Sequence, residues 1–215
     1  MALRIEDYAL IGDCRTGALV GSDGSIDWLC LPRFDSASMF GALLGTEDHG
    51  RWQLAPSAQA RESTRAYVDG TFTLVTRWVT PTGVAEVVDL MPVGDGYANI
   101  IRRVRGISGT VEFTEDLVIR FDYGEAIPWV RQIDEEGTRA IVAIAGPDGI
   151  VRRGPPLDAV DYRHRGRICV SDGKTVDLTM TWFPSHLPVP ARRSASEHIA
   201  STTEWWLRWS ASATA

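Results

Sequence analysis

The stretch "TVEFTEDLVIRF", residues 110–121, decides the fold class. Val111, Phe113, Leu117, Ile119 and Phe121 recur at every second position, with Glu112, Thr114, Asp116 and Arg120 between them. Side chains of an extended chain alternate between two faces, so this pattern predicts a long strand with one face buried. Glu115 alone interrupts the apolar row. The same period of two returns in "TFTLVTRWV" through Phe72, Leu74 and Trp78, and in "TVDLTMTW" through Val176, Leu178, Met180 and Trp182.

Turn signals separate these runs. Asp23-Gly24, Asp69-Gly70, Asp95-Gly96, Asp148-Gly149 and Asp172-Gly173 suit hairpins, because both residue types tolerate the positive φ of a type I′ turn. Thr82-Gly83, Ser108-Gly109 and Glu136-Gly137 are expected to turn the chain in the same way. Many strands, frequent turns and few helical patterns predict an all-β fold, a large antiparallel β-sandwich of two sheets. No internal repeat suggests a propeller or solenoid.

Two helices are expected. "DSASMFGALLG", residues 35–45, predicts a short helix after the first strands, capped by Asp35 or Ser36 and stopped by Gly45. "SASEHIASTTEWWLRW", residues 194–209, predicts a C-terminal helix in which Ser194 and Glu197 have capping-box spacing. Ile199, Thr203 and Trp206 form one stripe, with Thr202, Trp205 and Trp209 beside it. Exposing these tryptophans to water is costly; they are expected to pack on the sandwich or to be covered by a partner or further chain. The boundaries read as residues 1–193 for the sandwich and 194–215 for the helical segment.

Composition narrows the function. The 215 residues are 44% hydrophobic and 23% charged, as in ordinary globular domains. A net charge of -6 argues against a nucleic-acid partner. The densest basic group is Arg152, Arg153, Arg163, Arg165 and Arg167; Asp158 and Asp161 interrupt it, and it reads as a solvated mixed-charge face. Cys14, Cys30 and Cys169 are odd in number and lack CxxC spacing, which argues against a disulfide framework. "MALRIEDYAL" has no signal-peptide apolar core, and no apolar run approaches the about 20 residues of a membrane helix, so a cytoplasmic protein without a membrane partner is expected.

Nucleotide, zinc-protease and serine-nucleophile motifs are absent. His49, His164, His186 and His198 have no metal-ligand spacing and read as surface or hydrogen-bonded residues. "RFDYGEAIPWV", residues 120–130, offers Asp122 and Glu125 as carboxylates, with Tyr123 and Trp129 as rings on which a sugar could stack. Glycoside hydrolysis requires two carboxyl groups about 5–9.5 Å apart. The plainer reading is a turn at Tyr123-Gly124 and a new strand from Pro128-Trp129. In "DGSIDWLCLPRFDS", residues 23–36, Ile26, Trp28 and Cys30 alternate with Asp27, Leu29 and Leu31, so both faces become apolar. Pro32 ends ladder pairing, and Arg33, Phe34 and Asp35 follow as a loop. Such a segment suits a sheet rim covered by other protein; alternatively, an Arg33–Asp35 ion pair only holds the loop.

Residues 5–45, "IEDYALIGDCRTGALVGSDGSIDWLCLPRFDSASMFGALLG", resemble the start of bacterial and archaeal trehalase/glucoamylase-like proteins of glycoside hydrolase family 15. "RFDYGEAIPWV", "AGPDGI", "TWFPSH" and "TTEWWLRWS" follow in that family's order, so the resemblance spans nearly the whole chain. Ala37 stands where Pro is expected and Gly41 where Ala is common. The resemblance implies a β-sandwich followed by an (α/α)6 barrel, whose two carboxylates carry inverting hydrolysis of α-glucosides. On that basis the chain is expected to be the non-catalytic N-terminal domain, and no catalytic residue is assigned to it.

Trp28, Arg33, Phe34 and Asp35 would then face the barrel near the glucoside pocket, with direct sugar contact a lesser role. Trp205, Trp206 and Trp209 would sit on the connector to the barrel, where an uncovered patch could also drive self-association. An independent carbohydrate-binding module is the main alternative, and a small complete enzyme using Asp122 or Glu125 is the third. No cofactor or metal is expected in this chain. The parent's substrate (trehalose, maltose or a longer glucan) and its need for phosphate or a divalent metal stay open.

Overall fold

The computed structural model describes residues 3–94 and 96–213. Its strands are β1 (Tyr8–Gly12), β2 (Gly17–Gly21), β3 (Ser25–Cys30), β4 (Ser38–Phe40) and β5 (Arg51–Pro56). Next come β6 (Glu62–Tyr67), β7 (Leu74–Val79), β8 (Gly83–Leu90), β9 (Asn99–Val118) and β10 (Trp129–Glu135). The last are β11 (Thr138–Ala145), β12 (Asp148–Arg153), β13 (Asp158–Val160), β14 (Arg163–Ser171) and β15 (Thr175–Pro184), followed by the helix α1 (Ala195–Ala213). The pairings among the described residues are antiparallel.

The strands form two layers that share β9. The first runs β1-β2-β3-β5-β9-β14-β13, with β4 on β3. The second runs β6-β7-β8-β9-β15-β12-β11-β10. Inward residues of both layers, among them Ile26, Trp52 and Phe113 of the first and Val87, Ile100 and Met180 of the second, form one continuous core. The expected all-β sandwich is therefore the fold.

β9 passes between layers inside one strand. Its first half lies between β8 and β15, and its second between β5 and β14. In the first half Ile100, Arg102 and Val104 are buried at even positions; in the second Val111, Phe113, Glu115 and Leu117 are buried at odd ones. The β8–β9 register explains the change. Val84 pairs with Ser108 but Ala85 with Gly106, leaving Ile107 as one extra residue. One inserted residue moves every later side chain to the opposite face. A Cβ on Gly106 would lie 2.0 Å from the Ser171 carbonyl oxygen, so glycine is required at this crossing.

Several turns differ from expectation. Ser108-Gly109 lies inside β9, because the strand bends between layers without reversing. Asp148-Gly149 opens β12, and the reversal comes earlier, at Gly146 and Pro147. Gly83 starts β8, with the turn at Pro81 and Thr82. Gly24 and Gly70 have positive φ in the expected hairpins, as do both Glu136 and Gly137. Gly173 also has positive φ, but no hairpin forms there, because β14 continues into β15 along β9 without reversing. Asp95 of the Asp95-Gly96 pair lies outside the described residues. Residues 35–45 hold β4 and only a three-residue 3-10 turn, Ala42–Leu44, because Ser38 and Phe40 pair with β3.

The basic group also divides. Arg163, Arg165 and Arg167 pair with carboxylates near the surface, whereas Arg152 and Arg153 are buried. Arg152 enters the core between the layers, pairs with fully buried Glu115 and donates to the Pro155 carbonyl. Trp52 Nε1 donates to Glu115 at 2.9 Å. Arg102 donates to Asp89 at 2.8 Å and to the carbonyl oxygens of Trp52 and Gly24, each at 2.7 Å. Burial raises the Glu115 carboxyl above its ordinary value, opposed by Arg152, Trp52 and Arg102. Arg153 is held by Glu135 at 2.7 and 2.6 Å.

Glu115→Ala or Arg152→Ala is expected to cost about 3–5 kcal/mol in urea denaturation, because each strands a buried charge. Removing both is expected to cost less than the sum of the single losses. Arg33→Ala, at an exposed pair, is expected to stay within about 1 kcal/mol.

Candidate functional site

β3 delivers the first candidate surface. Trp28 is half-buried near its end, and Leu29, Cys30 and Leu31 are buried. Arg33, Phe34 and Asp35 are then exposed, Phe34 by 64%. Arg33 Nε and Nη2 donate to the two oxygens of Asp35 at 2.9 and 3.1 Å, closing the loop on itself. The Phe34 amide donates to the Arg15 carbonyl at 3.0 Å, which anchors the loop tip to the β1–β2 connection. Tyr123 approaches Trp28 with ring centroids 6.1 Å apart, extending the aromatic surface across the rim.

The segment 121–126 holds Tyr123 there. Asp122, Tyr123 and Gly124 adopt φ values of 52°, 57° and 97°, and Phe121 bridges to Ala126 beneath them. Asp122 and Tyr123 lack glycine's freedom at positive φ, so this tight loop spends conformational energy to display their side chains. Asp122 and Glu125 are both exposed. Trp129 does not join Tyr123: it opens β10 and lies 5.9 Å from the Arg131 guanidinium. The tempting carboxylates and rings therefore do not converge into one cleft.

The second surface belongs to α1. Ser194 Oγ accepts the Glu197 amide at 3.3 Å, giving the expected N-cap contact. Val88, Leu90, Ile101 and Ala195 form a small outer cluster under the helix, joined by Val75 and Ile199. Thr202 is fully buried and accepts the Val93 amide at 3.2 Å. Trp206 is 6% exposed, stacked on Phe72 at 5.0 Å, with Trp205 and Trp209 edge-on at 4.8 and 5.7 Å. Trp209 remains 54% exposed. Beside it an apolar groove of ≈540 Å³ runs along Leu10, Tyr67, Val68, Phe72, Trp206 and Trp209.

A smaller apolar recess of ≈250 Å³ lies between Ile119, Ile127, Val130 and Tyr162, with His164 at its base. His164 is 8% exposed and its Nδ1 has no hydrogen-bond partner, contrary to the surface or hydrogen-bonded role expected. Burial, with the nearby Arg152 charge, pushes the imidazole below its ordinary value. Sequence offered no signal for this, since His164 sits among arginines.

A two-layer antiparallel sandwich with a docked helix and exposed aromatic rims defines the class of protein. Residues 1–157 match the family described as "Trehalase-like, N-terminal", and the chain belongs to that family. It is 30% identical to "Trehalase" of Mycolicibacterium smegmatis, covering 95% of this chain and 34% of that protein. The corresponding values for "Trehalase" of Mycobacterium tuberculosis are 30%, 95% and 33%. The chain thus spans about a third of the relatives it matches. A solved "Putative kojibiose phosphorylase from human microbiome" aligns with TM-score 0.38 at 8% identity, over 94% of this chain and 33% of that one.

Trp206→Ala is expected to cost about 3–5 kcal/mol and Trp209→Ala only about 1 kcal/mol, measured by urea denaturation. Because the folded-state His164 value is lowered, the unfolded chain takes up a proton first as pH falls below about 6.5. Stability is expected to fall across that window, with a shallower slope in His164→Gln.

Proposed function

We propose that the chain is the non-catalytic N-terminal domain of a glycoside hydrolase of family 15 type that acts on α-glucosides by inversion. In this reading both catalytic carboxylates belong to a helical barrel of a longer parent. The sandwich braces that barrel with the Trp28, Arg33, Phe34 and Asp35 rim and with the Trp209 side of α1. Trehalose is the first substrate to test, because the relatives carry the name trehalase.

One observation carries the reading. Glu115, the carboxyl raised most clearly by burial, is sealed in the core against Arg152 and Trp52, where no substrate reaches it. Asp122 and Glu125 stand on an exposed loop, without the water-excluding cleft that acid–base hydrolysis uses. We also propose a cytoplasmic location. Free Cys14, Cys30 and Cys169, two of them exposed, support it, because unpaired exposed thiols suit a reducing compartment.

Incubated with trehalose or maltose, the purified chain is expected to release no glucose, and a parent carrying the barrel is expected to release it. Arg33→Ala in that parent should lower kcat/KM by up to about tenfold, equivalent to about 1.4 kcal/mol. Glucose release by the chain alone, abolished in Asp122→Asn or Glu125→Gln, overturns the proposal.

A further inference from the structure

A third concavity, of ≈310 Å³, opens where the two layers meet beside the aromatic rim. β4 contributes Ser38 and Met39, the tight loop contributes Phe121 and Asp122, and the second layer contributes Asp148 and Trp182. We propose that this cleft binds a neutral monosaccharide-sized polyol, such as one glucose unit. This goes beyond the bracing role, since it gives the chain a ligand of its own.

The residue types suit that ligand and no common competitor. Ser38 is 1% exposed, lines the cleft and has an Oγ with no hydrogen-bond partner. A buried hydroxyl without a partner costs free energy, and turning the Ser38 side chain toward the cleft would let a ligand hydroxyl satisfy it. Trp182 Nε1 donates to Asp148 Oδ1 at 2.8 Å, which fixes the half-buried indole and leaves the second carboxylate oxygen as an acceptor. Among the described residues the Asp122 side chain makes no hydrogen bond or ion pair, and the residue is exposed and lines the cleft.

Two carboxylates that accept hydroxyl protons, beside Phe121 and Trp182 faces that cover C–H groups, form an amphipathic lining. Sugars present both kinds of surface. An anionic ligand would meet two like charges here. A metal ion needs more oxygen donors than these, and among the described residues no three His, Cys, Asp or Glu side chains gather into a metal-holding group. The volume lies at the lower end of the about 300–1,000 Å³ typical of small-molecule sites, so one ring fits better than a chain of several.

Calorimetric titration of the purified chain with glucose, maltose and trehalose tests the site, with calcium chloride as a separate titrant. Saturable sugar binding of millimolar order is expected. Asp122→Asn should weaken it about tenfold or more, because a hydrogen bond to a charged acceptor is lost while Asn still tolerates the positive φ. Ser38→Ala should weaken it less, and thermal melts verify that both variants fold. Trp182→Phe serves as a second probe if either variant does not fold, and should also weaken binding.

Absence of saturable sugar heat overturns the inference. So does sugar binding unchanged in Asp122→Asn and Trp182→Phe, which moves the ligand elsewhere. Calcium binding without sugar binding, lost in Asp122→Asn, overturns it in favour of a cation site. The measurement reads binding by the chain alone, so it stands or falls separately from glucose release by any parent.

Discussion

Two arginine–carboxylate pairs, Arg102 with Asp89 and Arg152 with Glu115, are buried where the layers of the sandwich face one another. Moving such charges out of water costs several kcal/mol per ion, so they persist only where other hydrogen bonds saturate them. Here they do. Arg102 also reaches two carbonyl oxygens of the opposite layer, and Glu115 also accepts the Trp52 indole. Apolar packing alone would tolerate many small slides of one sheet over the other. Directional hydrogen bonds from one layer to named acceptors of the other do not.

β9 makes this arrangement possible. Arg102 and Glu115 stand on either side of its extra residue, Ile107, and both must point inward. Without the insertion one of the two would face out, and the opposite partner would be left as a lone buried charge. Gly106 allows the close crossing with Ser171 that accompanies the bend. The bulge, the glycine and the ion pairs therefore act as one device. The most deeply buried of these carboxylates, Asp89 and Glu115, serve the architecture.

Much of the fold is legible because period two is a local property. The inward rows of β7, of the second half of β9 and of β15 follow from spacing alone, and so does the β10–β11 hairpin at Glu136-Gly137. Glu115 is visible as the break in its row, but its reason is a partner on another strand. Arg152 and Arg153 read as solvated because neighbouring charges surround them in sequence. β12, however, is covered on both faces, by the core at Arg152 and by Glu135 and Pro190 at Arg153. The helix expected at residues 35–45 yields to pairing of Ser38 and Phe40 with β3, a tertiary contact that outweighs local propensity. The cleft at Ser38 is illegible for the same reason, since its walls come from four distant segments.

The tryptophan helix is best understood through what anchors it. Arg103 Nη2 donates to Ser196 Oγ at 2.7 Å while the same guanidinium is paired with Asp177 of β15. Ile101, two residues earlier, packs under the helix, and Arg102 between them enters the core. Three consecutive residues of β9 thus tie α1, the second layer and the first layer together. The other end of the same strand leads into the loop that displays Asp122 and Tyr123. The helix α1 and the loop that displays Asp122 and Tyr123 are therefore tied to opposite ends of one strand.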